Sequence, residues 1–134
     1  MRKLIILMLA AVAVISLGSC RRVSHNGKLD GHWQIREIYN IETGVSEYPT
    51  QKFIRVQLEL MQLQNPRQSA DLTGVITYHK GDPEVIVDFR NNPTEARLAE
   101  FGFKGNPTTL HIDRLDSKHL VLSSPMAVIT CRRF

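Results

Sequence analysis

Five histidines, two cysteines and two close pairs of carboxylates are the side chains of this sequence with the types to do chemistry. His25, His32, His79, His111 and His119 could ligate zinc or carry protons, but no two stand at the spacing that sets a ligand pair on one helix face. His25 lies in a polar stretch. His32, His79 and His111 fall in alternating runs opposite apolar neighbours, which reads as the wet face of strands, and His119 opens a strand after a turn. Whether strand histidines meet in space is for the fold to decide. Cys131 follows Ala127 and Ile129 at every second position, so its thiol shares their apolar face as a small hydrophobe. Asp113 with Asp116, and Asp82 with Glu84, flank turns, where Asp bonds the local backbone. No glycine-rich elbow surrounds a serine, and no P-loop or dinucleotide fingerprint is present. No catalytic residue, metal ligand or cofactor site follows from these patterns, and no enzymatic activity is expected.

Cys20 stands apart because of what precedes it. Arg2 and Lys3 lead into an apolar run from Leu4 to Gly18. Its 15 residues fall short of the ~20 a helix needs to cross the hydrocarbon core. The run has the length of an export signal's apolar core, and Ser16, Gly18 and Ser19 supply small residues ahead of a cleavage point. Leu17-Gly18-Ser19-Cys20 resembles a bacterial lipobox, which implies that Cys20 is acylated and becomes the mature N-terminus. Each buried methylene contributes about 0.8 kcal/mol, and two chains anchor stably where one does not. The expected organisation is a signal peptide over 1–19, a lipidated tether over 20–28 and one domain over 29–134. Arg21 and Arg22 could each add about 1 kcal/mol of attraction to anionic head groups. The polar stretch Arg21–Lys28 reaches roughly 25 to 30 Å at most.

Removal of 1–19 takes away Arg2 and Lys3 and no acid, so the net charge falls from +4 to +2. The remaining basic residues are scattered beside acids, without the one-faced cluster that phosphate neutralisation requires, so no nucleic-acid partner is expected. With Cys20 acylated, Cys131 has no disulfide partner, and stability must come from an apolar core.

That core has to be built from strands. From Leu29 onward the chain is made of short β-like runs broken by turn residues. In "FIRVQLELMQL", Ile54, Val56, Leu58 and Leu60 alternate with Arg55, Gln57 and Glu59, which predicts one strand with those four side chains inward. "GHWQIREIY" from Gly31, "LTGVITYH" from Leu72, "EVIVDF" from Glu84, "TTLHIDRL" from Thr108, "HLVLSS" from His119 and "MAVITCRRF" from Met126 bring the count to about seven. Lys80-Gly81-Asp82-Pro83 predicts a hairpin turn between the third and fourth. In "NNPTEARLAEFG", Asn92 as N-cap, Pro93 at the first helical position and Gly102 as a stop predict a helix of two to three turns near 93–101. Its Leu98 and Phe101 would pack against the sheet. Many short antiparallel strands with one helix predict an all-β fold, a small barrel of about 7–8 strands.

"LDGHWQIREIY" resembles the opening strand of lipocalin-like proteins, in which a Gly-x-Trp stretch starts the first strand and the Trp closes the barrel floor; here these are Gly31, His32 and Trp33. "LDSKHLVLSSPMAVITCRRF" resembles the closing hairpin of small lipocalin-like lipoproteins of Gram-negative gut bacteria. The resemblance implies that Arg132 or Arg133 packs across Trp33, within ~6 Å of the ring. It also implies a Gram-negative envelope location, and Arg21-Arg22 in place of acids after the cysteine favours the periplasm-facing side of the outer membrane. Two functions are compatible with the residues. In the first, the open barrel end holds a small apolar or amphipathic ligand near the membrane. In the alternative, the barrel is filled by its own side chains and an outer surface docks an envelope protein. The resemblance favours the first; the aliphatic inward residues, poor in aromatics, favour the second. Membrane lipid through acylated Cys20 is the common partner, and no ligand-binding residues are assigned.

Overall fold

The structure is a computed structural model in which residues 25–67 and 71–134 are described. Cys20 and the expected signal peptide lie outside the described residues. The strands are β1 Gly31–Asn40, β2 Ser46–Glu47, β3 Phe53–Gln57, β4 Leu60–Gln64, β5 Leu72–Thr77, β6 Glu84–Phe89, β7 Thr108–Leu115, β8 His119–Ser123 and β9 Ala127–Arg133. Each pairs antiparallel with its neighbour in the order β2-β1-β3-β4-β5-β6-β7-β8-β9, and β1 also pairs with β9. Eight strands therefore close on themselves into a barrel, and closure removes the exposed edges that an open sheet would carry. The two-residue β2 is an extra strand on the far half of β1.

β1 can serve three neighbours because it is long and bulged. Its first half pairs with β3, its second half with β2, and the stretch from Trp33 to Asn40 with β9. Between Ile35 and Glu37 the register against β9 slips by one, leaving Arg36 as the extra residue. The bulge changes the phase of the strand, so the inward residues are Trp33, Ile35 and then Ile38.

The expected single strand from Phe53 is a hairpin instead. Gln57 pairs with Leu60, so Leu58 and Glu59 form a two-residue turn, with Leu58 at φ 55. Beyond the turn the inward positions become Met61 and Leu63, both fully buried, while Leu58 and Leu60 are exposed. The expectation that Leu58 and Leu60 point inward is thus corrected. Alternation runs through "QLEL" without a break because no Gly, Asn or Pro marks the turn.

The helix is α1, Glu95–Ala99, shorter than expected. Its N-cap is Thr94 rather than Asn92: Thr94 is extended and its Oγ1 accepts the Arg97 N–H at 3.3 Å, whereas Asn92 sits at φ 44 in the preceding turn. Gly102 is the stop, at φ 80. The Phe103 N–H reaches Leu98 O and the Gly102 N–H reaches Ala99 O, both at 3.0 Å, the bond pair of a Schellman motif. This turn drops Leu98, Phe101 and Phe103 into the barrel mouth, all buried.

Candidate functional site

The two ends of the barrel are closed by different devices. At the end where β1 begins, a 3₁₀ turn over Gly27–Leu29 lies across the floor. Trp33 is fully buried there and its Nε1–H donates to Leu29 O at 3.0 Å. The Arg133 guanidinium sits over the indole, with Cζ 4.2 Å from the ring centroid. Its three nitrogens donate to Ser117 O at 2.7 Å, Asp30 O at 2.9 Å and Lys28 O at 2.8 Å. A single side chain therefore ties the last strand, the β7–β8 turn and the 3₁₀ turn to the floor. Of the two expected arginines, Arg133 takes the place over Trp33, as β9 pairing sets Trp33 opposite Arg133.

Asn26, within the stretch read as tether, is buried at this end. Its side-chain amide donates to Asp30 Oδ1 and to Leu58 O, each at 2.6 Å, so the chain entering the barrel is bonded to the tip of the β3–β4 turn.

At the opposite end, the mouth is stopped by α1 and the loop after it. Phe89 and Phe103 face each other with ring centroids 6.0 Å apart. Gly102 approaches β1 and β9 so closely that a Cβ on it would lie 3.0 Å from both Ile38 and Ile129. Ser124 Oγ–H donates to Gly102 O, and Lys52 Nζ donates to Glu100 O, pinning the plug from two sides. Between floor and plug, Ile35, Ile54, Met61, Leu63, Val87 and Leu110 are all inaccessible to solvent. The interior that would hold a ligand in an open barrel is occupied by the chain itself.

The histidines do not converge. His79 lies 3.4 Å from Asp82, His111 lies 2.9 Å from Glu84 and His119 lies 3.0 Å from Asp116, at separate places on the surface. His32 is half-buried rather than on a wet face, bonded to Gln64 at 3.1 Å and packed against Phe53 and Phe134. Among the described residues no group of three or more His, Cys, Asp or Glu could hold a metal ion. Asp116 shapes the β7–β8 turn, where its Oδ1 accepts the Lys118 and His119 N–H groups, both at 2.8 Å. Those bonds, led by that from Lys118, hold its carboxyl well below the usual carboxylate range against an opposing desolvation. Cys131 is buried on the inner face of β9, and desolvation pushes its thiol far above the ordinary value, which disfavours the thiolate.

Tyr39, Ile41, Val45 and Tyr48 are exposed on and around the β1–β2 hairpin. Beside Tyr48 runs an open groove of about 520 Å³ bordered by Gln34, Arg36, Glu37 and Thr130. Leu58 and Leu60 form a second exposed apolar pair at the floor end, flanking a groove of about 310 Å³ with Arg55 and Thr73. Sequence reasoning missed both surfaces. The first depends on how a two-residue strand folds back on β1, and the second on a turn without turn residues.

No helix among the described residues is long and apolar enough to cross a membrane. No functionally curated protein matches the chain. Among solved structures, a lipocalin-like protein from Bacteroides uniformis ATCC 8492 is similar at 19% identity and a TM-score of 0.66, over 81% of this chain and 100% of that one. An uncharacterized protein from Bacteroides eggerthii DSM 20697 is similar at 17% identity and a TM-score of 0.60, over 78% of this chain and 98% of that one. At these identities the likeness is one of fold. The eight-stranded closed barrel with its Trp33 floor agrees with a match of residues 13–134 to the lipocalin-like domain model, and the chain belongs to the lipocalin-like domain family.

Proposed function

We propose that this protein is a non-enzymatic lipoprotein of the Gram-negative envelope, anchored through acylated Cys20 on the periplasm-facing side of the outer membrane, whose barrel acts as a solid interaction module. The observation that carries the reading is the filled interior: Trp33, Phe89 and Phe103 occupy the two ends and fully buried aliphatics the middle. Small-molecule sites are concave and mostly apolar, and here the concave apolar space of the fold is taken. The exposed aromatic and aliphatic side chains of the β1–β2 hairpin supply the kind of surface that docks a protein partner. Support for the anchor is the lipobox-like Leu17-Gly18-Ser19-Cys20 after an apolar run too short to span.

A carrier role is the competing reading, because barrels of about eight strands can hold one small ligand and the outer groove at Arg55 and Leu60 offers a polar group beside apolar wall. Native mass spectrometry of the full-length protein, extracted in detergent from its own cells, separates the two. The expected spectrum shows the chain plus its acyl groups and nothing else. A reproducible further mass of small-molecule size would overturn the interaction module in favour of the carrier. Labelled palmitate tests the anchor: wild type takes up label and Cys20→Ala does not, while equal labelling would end the lipoprotein reading.

A further inference from the structure

Leu58 breaks two local rules at once. It holds φ 55 at the first position of a two-residue hairpin turn, where Gly is the residue that adopts the conformation without strain. It also exposes 59% of its surface to water. The turn's carbonyl holds the buried Asn26 amide, but the Leu58 side chain itself stands outside the core. Apolar residues kept at a strained, exposed apex point to a contact outside the molecule.

The position of this apex says what the contact is. Leu58 O accepts the Asn26 side-chain amide at 2.6 Å, so the apex sits where the chain enters the barrel. Six residue steps separate Asn26 from Cys20, a reach of about 20 Å at full extension. Asn26 also borders the groove that contains Lys28 and Lys80, and the Lys80 side chain lies directly over Gly27. Both lysines are exposed, and neither forms an ion pair among the described residues. Leu60 adds a second exposed aliphatic at the start of β4, with Arg55 beside it. The acids nearby are Glu59 on the turn itself, Asp82, which is engaged by His79, Asp113, which borders the same groove as the two lysines, and Asp30, which is bonded to Asn26 and shares a groove with Arg55.

We infer that the floor end of the barrel is a second membrane contact, in which Leu58 and Leu60 enter the interfacial layer of the bilayer and Lys28, Lys80 and Arg55 meet anionic head groups. This rests on the Cys20 anchor proposed above. An acyl chain alone leaves a domain free to tumble on its tether; the apolar apex fixes its orientation, with the floor down. The β1–β2 hairpin, at the other end of β1, then projects away from the bilayer towards a partner. Amphipathic surfaces of this kind bind through buried apolar area together with attraction to anionic lipid.

The test uses the full-length acylated protein in vesicles of phosphatidylethanolamine and phosphatidylglycerol doped with a bromolipid quencher. Leu58→Trp and Leu60→Trp report on the floor end and Val45→Trp, in the exposed β1–β2 turn, on the opposite end, over the constant signal of buried Trp33. Both floor reporters are expected to shift to the blue and lose most of their added fluorescence to the quencher, with the signal at position 45 unchanged. The intact mass of the same sample records its acyl chains. Acylated protein with unquenched floor reporters would overturn the membrane contact and leave the anchor standing. A sample without acyl mass would overturn the anchor and the inference with it.

Discussion

Arg133 joins distant parts of this fold, because its planar fork matches three backbone carbonyls while its face covers Trp33. Arg133→Ala should destabilise the protein by about 2 kcal/mol, read as a lower urea midpoint at constant slope. Arg133→Lys should recover less than half of that, since an ammonium cannot reach Ser117, Asp30 and Lys28 together. Asp116 contributes a pH dependence. Its folded-state carboxyl is held below its unfolded value of 3.8, so its contribution is present above that pH and is lost as the pH falls below it. Asp116→Asn should therefore lower the urea midpoint at about pH 7, and the gap to wild type should shrink by about pH 3 as the wild-type carboxyl loses its advantage. At this scale the spacing showed that Cys131 shares the apolar face of β9, and the family resemblance implied that an arginine of the C-terminal pair covers Trp33. The choice of Arg133 over Arg132 was not legible, because it turns on β9 register against β1.

Turns and bulges, more than strands, decide what each element presents. The alternation in β6 and β8 is unbroken, and Val85, Val87, Phe89, Leu120 and Leu122 are buried as their spacing predicts. Where the phase changes, the sequence carries no mark: a bulge after Ile35 moves Ile38 inward, and the turn at Leu58 sends Leu60 outward. One residue's shift exchanges the two faces of a strand, so a single unrecognised turn reverses every later assignment in that run. Gly102 was readable as a stop but not as the closest approach of the plug to the barrel wall. Gly102→Ala places a Cβ 3.0 Å from Ile38 and Ile129 at φ 80, and should cost roughly 2 to 3 kcal/mol in denaturant unfolding.

For the whole molecule the decisive fact is that a lipocalin-like barrel of this size is stoppered at both ends. Trp33 and the 3₁₀ turn close the floor, and Phe101 and Phe103, carried on the turn after α1, close the mouth. Phe103→Ala should cost about 3 to 5 kcal/mol through the cavity it leaves beside Phe89. An apolar cavity of that kind stays dry and accepts small apolar molecules, so the variant should bind an apolar fluorescent probe that wild type does not. Saturable binding of the probe inside wild type, competed by nothing at the outer grooves, would contradict a filled interior.

The amino-acid sequence alone determined the all-β class, the number of barrel strands to within one and the apolar run ending at Cys20, because period, turn chemistry and composition are local properties that survive without a fold, while the floor position of Trp33 came from the resemblance of its Gly-x-Trp stretch. Tertiary structure decided whether the barrel is hollow or solid, which arginine covers the floor, and that Leu58 stands exposed beside the chain's entry. Those depend on which residues far apart in the chain come to face one another across a closed sheet, and strand register, set by single-residue bulges and turns, is invisible to spacing along one strand.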